Sequence, residues 1–271
     1  MQPIDRRTFI ADLGRGAFAL AVVSLAACSP SVLASARPPS SALASASATG
    51  SPEGGSEPSA SSAAGSPPSG NPPARDGLTW QRVDLGFVSA YVLVRGGQAV
   101  VVDTGVGGSA GAIEDSLAGV GLDWSAVGHL ILTHRHNDHI GSAAAVMEAA
   151  PDAAAYAGAE DIAAISVPRP LTPVGDGDRV FDLQIVTTAG HTPGSISVYD
   201  AVSGLLVAGD ALGTEGGKPA LPGAQFTEDM DEAKRSIAKL AELGFETLLV
   251  GHGDPIENGA SAAVAELAAQ Q

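Results

Sequence analysis

Apolar and polar positions divide the chain into a front part without a repeating pattern and a back part that alternates strand-like and helix-like runs. Residues 78–85, 87–94 and 98–103 are short apolar-rich runs broken at Gly86 and at Gly96-Gly97, and they predict three strands joined by turns. Residues 109–120 predict a helix. The apolar run 128–132 predicts a buried strand, and 140–150 the helix after it. A short strand at 153–157 and an alanine-rich helix from residue 159 follow. Residues 167–178, interrupted by proline and glycine, predict a loop. Strands are expected at 180–187, 195–200 and 204–208. Between 227 and 243 apolar side chains recur at Met230, Ala233, Ile237, Leu240 and Leu243, the spacing of a helix with one buried face. A strand at 246–250 and a terminal helix at 261–269 complete the pattern. Strand groups alternate with helices in two halves, which predicts an α+β fold of two β-sheets packed face to face with helices outside.

The front part is not built to fold. Residues 1–27 hold an arginine pair, an apolar run from about Gly16 and small residues at the end, the layout of a signal peptide. Asp5-Arg6-Arg7-Thr8-Phe9-Ile10 resembles a twin-arginine export signal, departing from it in the aspartate before the arginines. Leu25-Ala26-Ala27-Cys28 resembles a bacterial lipobox, which implies cleavage before Cys28 and a lipid on its sulfur. Residues 28–77 are mostly Ser, Ala, Pro and Gly, too poor in apolar side chains to offset the entropy of ordering, and are expected to form a disordered tether. The expected location is outside the cytosol, lipid-anchored on the outer face of the cytoplasmic membrane or in the periplasm, with simple secretion as the alternative. Cys28 is the one cysteine, so residues 78–271 form a single domain with neither disulfides nor thiolate ligands.

The net charge is −16, and the excess lies in residues 78–271. A field of that sign repels nucleic acid and anionic head groups. The expected partner is a small molecule; the oligomeric state stays open.

Chemistry concentrates in Thr133-His134-Arg135-His136-Asn137-Asp138-His139-Ile140-Gly141, which holds three of the six histidines. Imidazole and carboxylate suit zinc, iron or manganese. In extended chain His134 and His136 face the same side; a helix beginning near Asp138 would turn Asp138 and His139 toward a second point nearby. The stretch could therefore hold two metals side by side. His191 in Gly190-His191-Thr192-Pro193-Gly194, Asp210 after an apolar strand and His252 in Gly251-His252-Gly253 all follow strand ends. His129 begins its strand and is expected to hold no metal.

The order H-x-H-x-D-H, G-H-T-P-G, G-D, G-H-G, together with Asp103-Thr104-Gly105, resembles the metallo-β-lactamase fold superfamily over the whole domain. That resemblance implies an αβ/βα sandwich with metals at its open edge. It implies His134, His136 and His191 on a first metal and Asp138, His139 and His252 on a second. Asp210 would bridge them, Asp138 and Asp210 would be the catalytic carboxylates, and Asp103 would orient ligands from behind. Two divalent ions are expected, zinc first, with iron or manganese as alternatives. A water shared by two cations loses its proton near neutral pH, its pKa falling from roughly 15.7 to about 7, and the hydroxide attacks a carbonyl or phosphoryl centre.

Within the superfamily, an aspartate at position 210 disfavours true class B β-lactamases. The complete ligand set fits the glyoxalase II-like and lactonase branches. About 19 residues follow His252, which weakens the reading as a glutathione thioesterase. The expectation is a hydrolase of an ester, thioester, lactone or related bond. Further alternatives are a mononuclear-iron persulfide dioxygenase-like oxidoreductase and a non-catalytic metal-holding lipoprotein. Substrate choice is expected in loops 167–178 and 212–226, where Lys218 is a candidate contact. The scarcity of aromatic residues there predicts no large apolar pocket.

Overall fold

The computed structural model describes residues 77–271. The predicted signal peptide, Cys28 and all of the tether but Gly77 lie outside the described residues. Six strands form the first sheet in the order β1-β2-β3-β4-β5-β6. They are β1 (Thr79–Asp84), β2 (Ser89–Arg95), β3 (Gln98–Val102), β4 (Val127–Leu132), β5 (Ala154–Gly158) and β6 (Thr172–Val174). The second sheet runs β13-β10-β9-β8-β7, with β7 (Arg179–Val180), β8 (Leu183–Thr187), β9 (Ile196–Asp200), β10 (Leu205–Val207) and β13 (Thr247–Leu249). A hairpin, β11 (Gly213–Glu215) and β12 (Lys218–Ala220), stands apart from both. The helices are α1 (Ala110–Gly119), α2 (Asn137–Ile140), α3 (Ala143–Ala149), α4 (Met230–Leu240) and α5 (Ala260–Ala268).

Strand alternation explains the layering. In β2, Tyr91 and Leu93 enter the core shared with the second sheet, where they join Ile185, Ile196, Val198 and Leu249. Ala90 and Val92 face the other way, onto a cluster with Ile113 and Leu117 of α1 and Val146 and Met147 of α3. The outer face of the second sheet sends Leu206 and Leu248 against Ile237 and Leu240 of α4 and Val264 of α5. Strands buried on both faces read as continuous apolar runs, as β3 from Ala99 and β10 do. The result is the predicted αβ/βα sandwich. Among the described residues no helix is long and apolar enough to cross a membrane.

The structure corrects the predicted elements in four places. The helix expected over 140–150 divides into α2 and α3, because Gly141 N–H donates to the Gly105 carbonyl (2.8 Å) and Ser142 N–H to Thr104 Oγ1 (3.2 Å). The alanine-rich helix from residue 159 is a single 3-10 turn, Ile162–Ala164; tertiary contacts of Asp161 and the burial of Ile165 override alanine's propensity. Part of the predicted loop 167–178 pairs with β5 as the edge strand β6. The predicted strand 180–187 is a tight hairpin turning at Phe181 and Asp182, both with positive φ.

Parallel pairing positions the site. β3, β4 and β5 run parallel, as do β10 and β13, so the segments after their carboxyl ends collect on one edge of each sheet. A hydrogen bond from Ile196 N–H to the Thr133 carbonyl (2.9 Å) ties the two sheets beside that edge.

Candidate metal centre

All seven residues singled out as ligands meet at this edge. The loop after β4 supplies His134 and His136, and α2 carries Asp138 and His139. His191 comes from the turn between β8 and β9, Asp210 from the 3-10 turn after β10, and His252 from the turn after β13. Three sets have donor atoms mutually within 4.8 Å: His134, His136 and His191; His134, His139 and Asp210; Asp138, His139 and His252. Asp210 lies between them. Its Oδ2 is 3.4 Å from His191 Nε2 and 3.2 Å from His252 Nε2, and its Oδ1 is 3.3 Å from His139 Nε2.

Four of the five imidazoles are held by the nitrogen that faces away. His139 Nδ1 is 2.8 Å from Asp103 Oδ2, and His252 Nδ1 is 2.6 Å from the Phe87 carbonyl. His191 Nδ1 is 3.2 Å from Thr227 Oγ1 and His134 Nδ1 is 3.1 Å from Thr133 Oγ1. The Thr133 hydroxyl itself donates to Asp103 Oδ2 (2.7 Å), so it is an acceptor toward His134. These partners place the N–H outside and leave Nε2 as a lone pair pointing inward. His136 instead turns Nδ1 inward, 3.1 Å from His134 Nε2 and 2.9 Å from His191 Nε2. Lone pairs meeting at such distances repel unless a proton or a metal cation sits among them. Asp210 Oδ1 is also buried without a hydrogen bond, which a ligand atom awaiting a cation would be. The donor set therefore fits metal ions.

Electrostatics divide the five imidazoles into three that burial keeps neutral and two whose protonation the neighbouring carboxylates favour. Burial holds His134 well below the ordinary histidine pKa, with His139 adding repulsion against the pull of Asp210. Burial also lowers His136 despite Asp210, and lowers His191 to about 4. Burial opposes protonation of His139, yet Asp210 and Asp103 overcome it and push the pKa up to about 10. The hydrogen bond to Asp210 raises His252. Asp210 is buried, which favours its neutral form, but His139 holds it well below the carboxylate range.

Asp103, expected to orient ligands from behind, accepts from Thr133 N–H (2.7 Å) and Thr133 Oγ1 and lies against His139 Nδ1. Gly251 cannot be anything larger: a Cβ there would collide with the Asp210 carboxylate and the His139 ring. His129 lies against Tyr156 and Phe181, apart from the cluster.

Sequence reasoning missed Asp161. Its side chain, 0% exposed, receives hydrogen bonds from Arg135 N–H (3.0 Å), Arg135 Nη1 (2.7 Å), Thr192 Oγ1 (2.6 Å) and Gly194 N–H (3.0 Å). Arg135 stands between His134 and His136, and Thr192 follows His191, so one carboxylate ties the two loops that carry three imidazoles. Glu228 also pairs with Arg135 and gives its N–H to the His191 carbonyl. Position after a strand end, the signal shared by His191, Asp210 and His252, was available for Asp161 too.

Phe87 and Phe226 were also missed. They line a cleft of about 500 Å³ together with Asn137, Gly223 and five of the seven cluster residues. The expectation of no large apolar pocket fails because Phe87 comes from the turn before β2 and only Phe226 from the predicted lip. A second lobe of about 300 Å³, sharing Asp210, Gly223 and His252, runs along the β11–β12 hairpin. Loop 167–178 lines neither lobe, and Lys218 lies exposed outside both.

Comparison with known proteins agrees with this geometry. The sequence matches the model of the Metallo-beta-lactamase superfamily over residues 83–252. It is 34% identical over 204 residues to the probable metallo-hydrolase YflN of Bacillus subtilis (strain 168), covering 58% of this chain and 76% of the relative. It is 32% identical over 171 residues to a hydroxyacylglutathione hydrolase of Xanthomonas axonopodis pv. citri (strain 306), covering 61% of this chain and 60% of that protein. A metallo-beta-lactamase family protein of Thermus thermophilus, TTHA1429, superposes with a TM-score of 0.59 at 26% identity, over 72% of this chain and 79% of that one.

Proposed function

Since the chain belongs to the metallo-beta-lactamase superfamily and is a metallo-hydrolase, we propose that it hydrolyses an ester, thioester or lactone at a centre of two divalent ions, zinc first. The observation that carries this reading is the convergence of five imidazoles, Asp138 and Asp210 into three sets whose donor atoms lie within 4.8 Å of one another. His134, His136 and His191 would hold one cation, Asp138, His139 and His252 the other, with Asp210 shared. Bound there, the ions supply a water acidified toward neutral pH and polarise the substrate carbonyl.

The chain's own residues do the rest. Asp103 keeps the His139 Nδ1 proton outside, and the Phe87 carbonyl does so for His252, so both present Nε2 inward. Asp210 and Asp138 bring negative charge to the same space, which favours cation over proton when ligands are neutral. Asp138 Oδ2 lies 3.3 Å from His252 Nε2 on the cleft wall, where the two would hold the second cation together with His139.

A panel of esters, thioesters, lactones, phosphodiesters and β-lactams, run on metal-analysed protein, tests the reading. Turnover confined to carbonyl esters, thioesters or lactones supports it; a sole phosphodiesterase activity, or one iron per chain with persulfide oxidation, overturns it. The signal-like residues 1–27 and Cys28 support delivery to the outer face of the cytoplasmic membrane. Cys28→Ala should move the protein from the membrane to the soluble fraction, and unchanged fractionation would contradict anchoring.

A further inference from the structure

Away from the proposed metal centre the cleft is walled mainly by apolar and small side chains. Apart from cluster residues, the larger lobe is walled by Phe87, Asn137, Gly223 and Phe226. The smaller lobe adds mainly Leu212, Ala220, Leu221 and Pro222, and its one charged side chain besides Asp210 and His252 is Glu215. Neither lobe is lined by a lysine or arginine. Of the nearby cations, Arg135 pairs with Asp161 and Glu228 and Arg82 with Asp254, while Lys218, opposite Glu215 on the hairpin, lies exposed outside both lobes.

Exposed apolar side chains gather at the same place. Among the described residues the exposed large hydrophobics are Phe87 (63%), Val202, Leu221 and Phe226 (63%). Three of these four border the centre, in a chain with 4% aromatic residues. The Phe87 ring stacks on His252 at 6.1 Å and 14° between planes, which fixes an apolar surface directly beside the cluster. Exposed apolar surface gathered at the rim of a polar centre marks ligand contact.

We propose that the substrate carries a neutral apolar chain or ring seated against Phe87 and Phe226, and that a carboxylate at the far end of that chain, away from the metal centre, is disfavoured. This rests on the hydrolase reading given above. It separates an acyl chain that ends in apolar atoms from one that ends in a charge, which would meet Phe87 and Phe226 or, in the smaller lobe, Glu215.

Two arms keep the tests apart. The first measures kcat/KM for acyl esters of two to eight carbons and for chains of equal length ending in a carboxylate. Each of the first added methylenes should raise kcat/KM about fourfold, and the terminal carboxylate should lower it at least about tenfold. Phe226→Ala and Phe87→Ala should flatten the slope with metal content unchanged, and Phe226→Leu should restore most of it. The second arm measures binding of unreactive alkyl amides to the zinc-loaded protein by calorimetry, where affinity should rise with chain length and fall in Phe226→Ala. A chain-length response in binding without ester, thioester or lactone turnover would sink the hydrolase reading and leave the cleft assignment standing. Flat binding, or preference for the carboxylate-ended series, would overturn the proposal.

Discussion

Replacing Asp161 by alanine removes one carboxylate and four hydrogen bonds at once. Hydrogen bonds to a charged group contribute about 1.5–3 kcal/mol each, but they share one acceptor and are not additive. Arg135 keeps Glu228 and some solvent, its side chain being 23% exposed, so its charge is not stranded. Thr192 Oγ1 keeps a contact with Ser195 Oγ (2.8 Å), while the Gly194 N–H loses its carboxylate acceptor in a buried place. Loss of one partner from a buried pair costs about 3–5 kcal/mol, and the lower end applies here, about 3 kcal/mol. Asp161→Asn, which keeps the shape but turns a donor toward donors, should cost about 2 kcal/mol. Because the same carboxylate holds the loops of His134, His136 and His191, zinc affinity should also fall about 10–100-fold. Urea unfolding of chelated protein reads the first quantity and a zinc competition titration of refolded protein the second. Asp200 supplies the control: it is buried, pairs with Arg95 at 2.7 Å and touches none of the cluster. Asp200→Ala should destabilise comparably with zinc affinity unchanged. If Asp161→Ala loses stability but binds zinc within about twofold of the parent, the claim that Asp161 places the ligands is refuted.

Three further outcomes follow from the geometry. Asp210→Ala should stay folded yet bind at most one metal per chain and lose nearly all turnover; full activity would remove Asp210 from between the ions. Gly251→Ala should lose metal and cost about 1–3 kcal/mol by overpacking, because its Cβ collides with Asp210 and His139; a variant with full metal content would show that the edge yields. Tyr91 donates to the Val250 carbonyl (2.7 Å), and burial pushes its phenol up to about 12. Its contribution is therefore complete below the unfolded value near 10 and is lost as pH rises toward 12. Tyr91→Phe should cost about 1 kcal/mol near neutral pH and abolish that alkaline phase, which unfolding measured across pH 9–12 would reveal.

The meeting of the seven candidate side chains was legible because its information is local. H-x-H-x-D-H fixes four side chains by spacing, and His191, Asp210 and His252 each follow an apolar strand beside glycine. The layered sandwich was legible from strand runs buried on both faces. What escaped was decided by tertiary contact. Asp161 sits in an alanine-rich run whose helix propensity hid it, and its role depends on Arg135 and Gly194 arriving from other elements. The break at Gly141 depends on the loop after β3 offering acceptors to its backbone. Phe87 and Phe226, far apart in sequence, form one wall only once the sandwich is closed. The β11–β12 hairpin hides in a Gly- and Pro-rich stretch because two of its turn residues, Gly216 and Gly217, adopt positive φ that any loop could use.

The most direct test of the central claim is anomalous diffraction at the zinc edge from crystals of the zinc-loaded protein. Two peaks about 3.5–4 Å apart are expected, one among His134, His136 and His191, the other among Asp138, His139 and His252, with Asp210 touching both. No peak within this cluster, or peaks bound elsewhere on the chain, would contradict it.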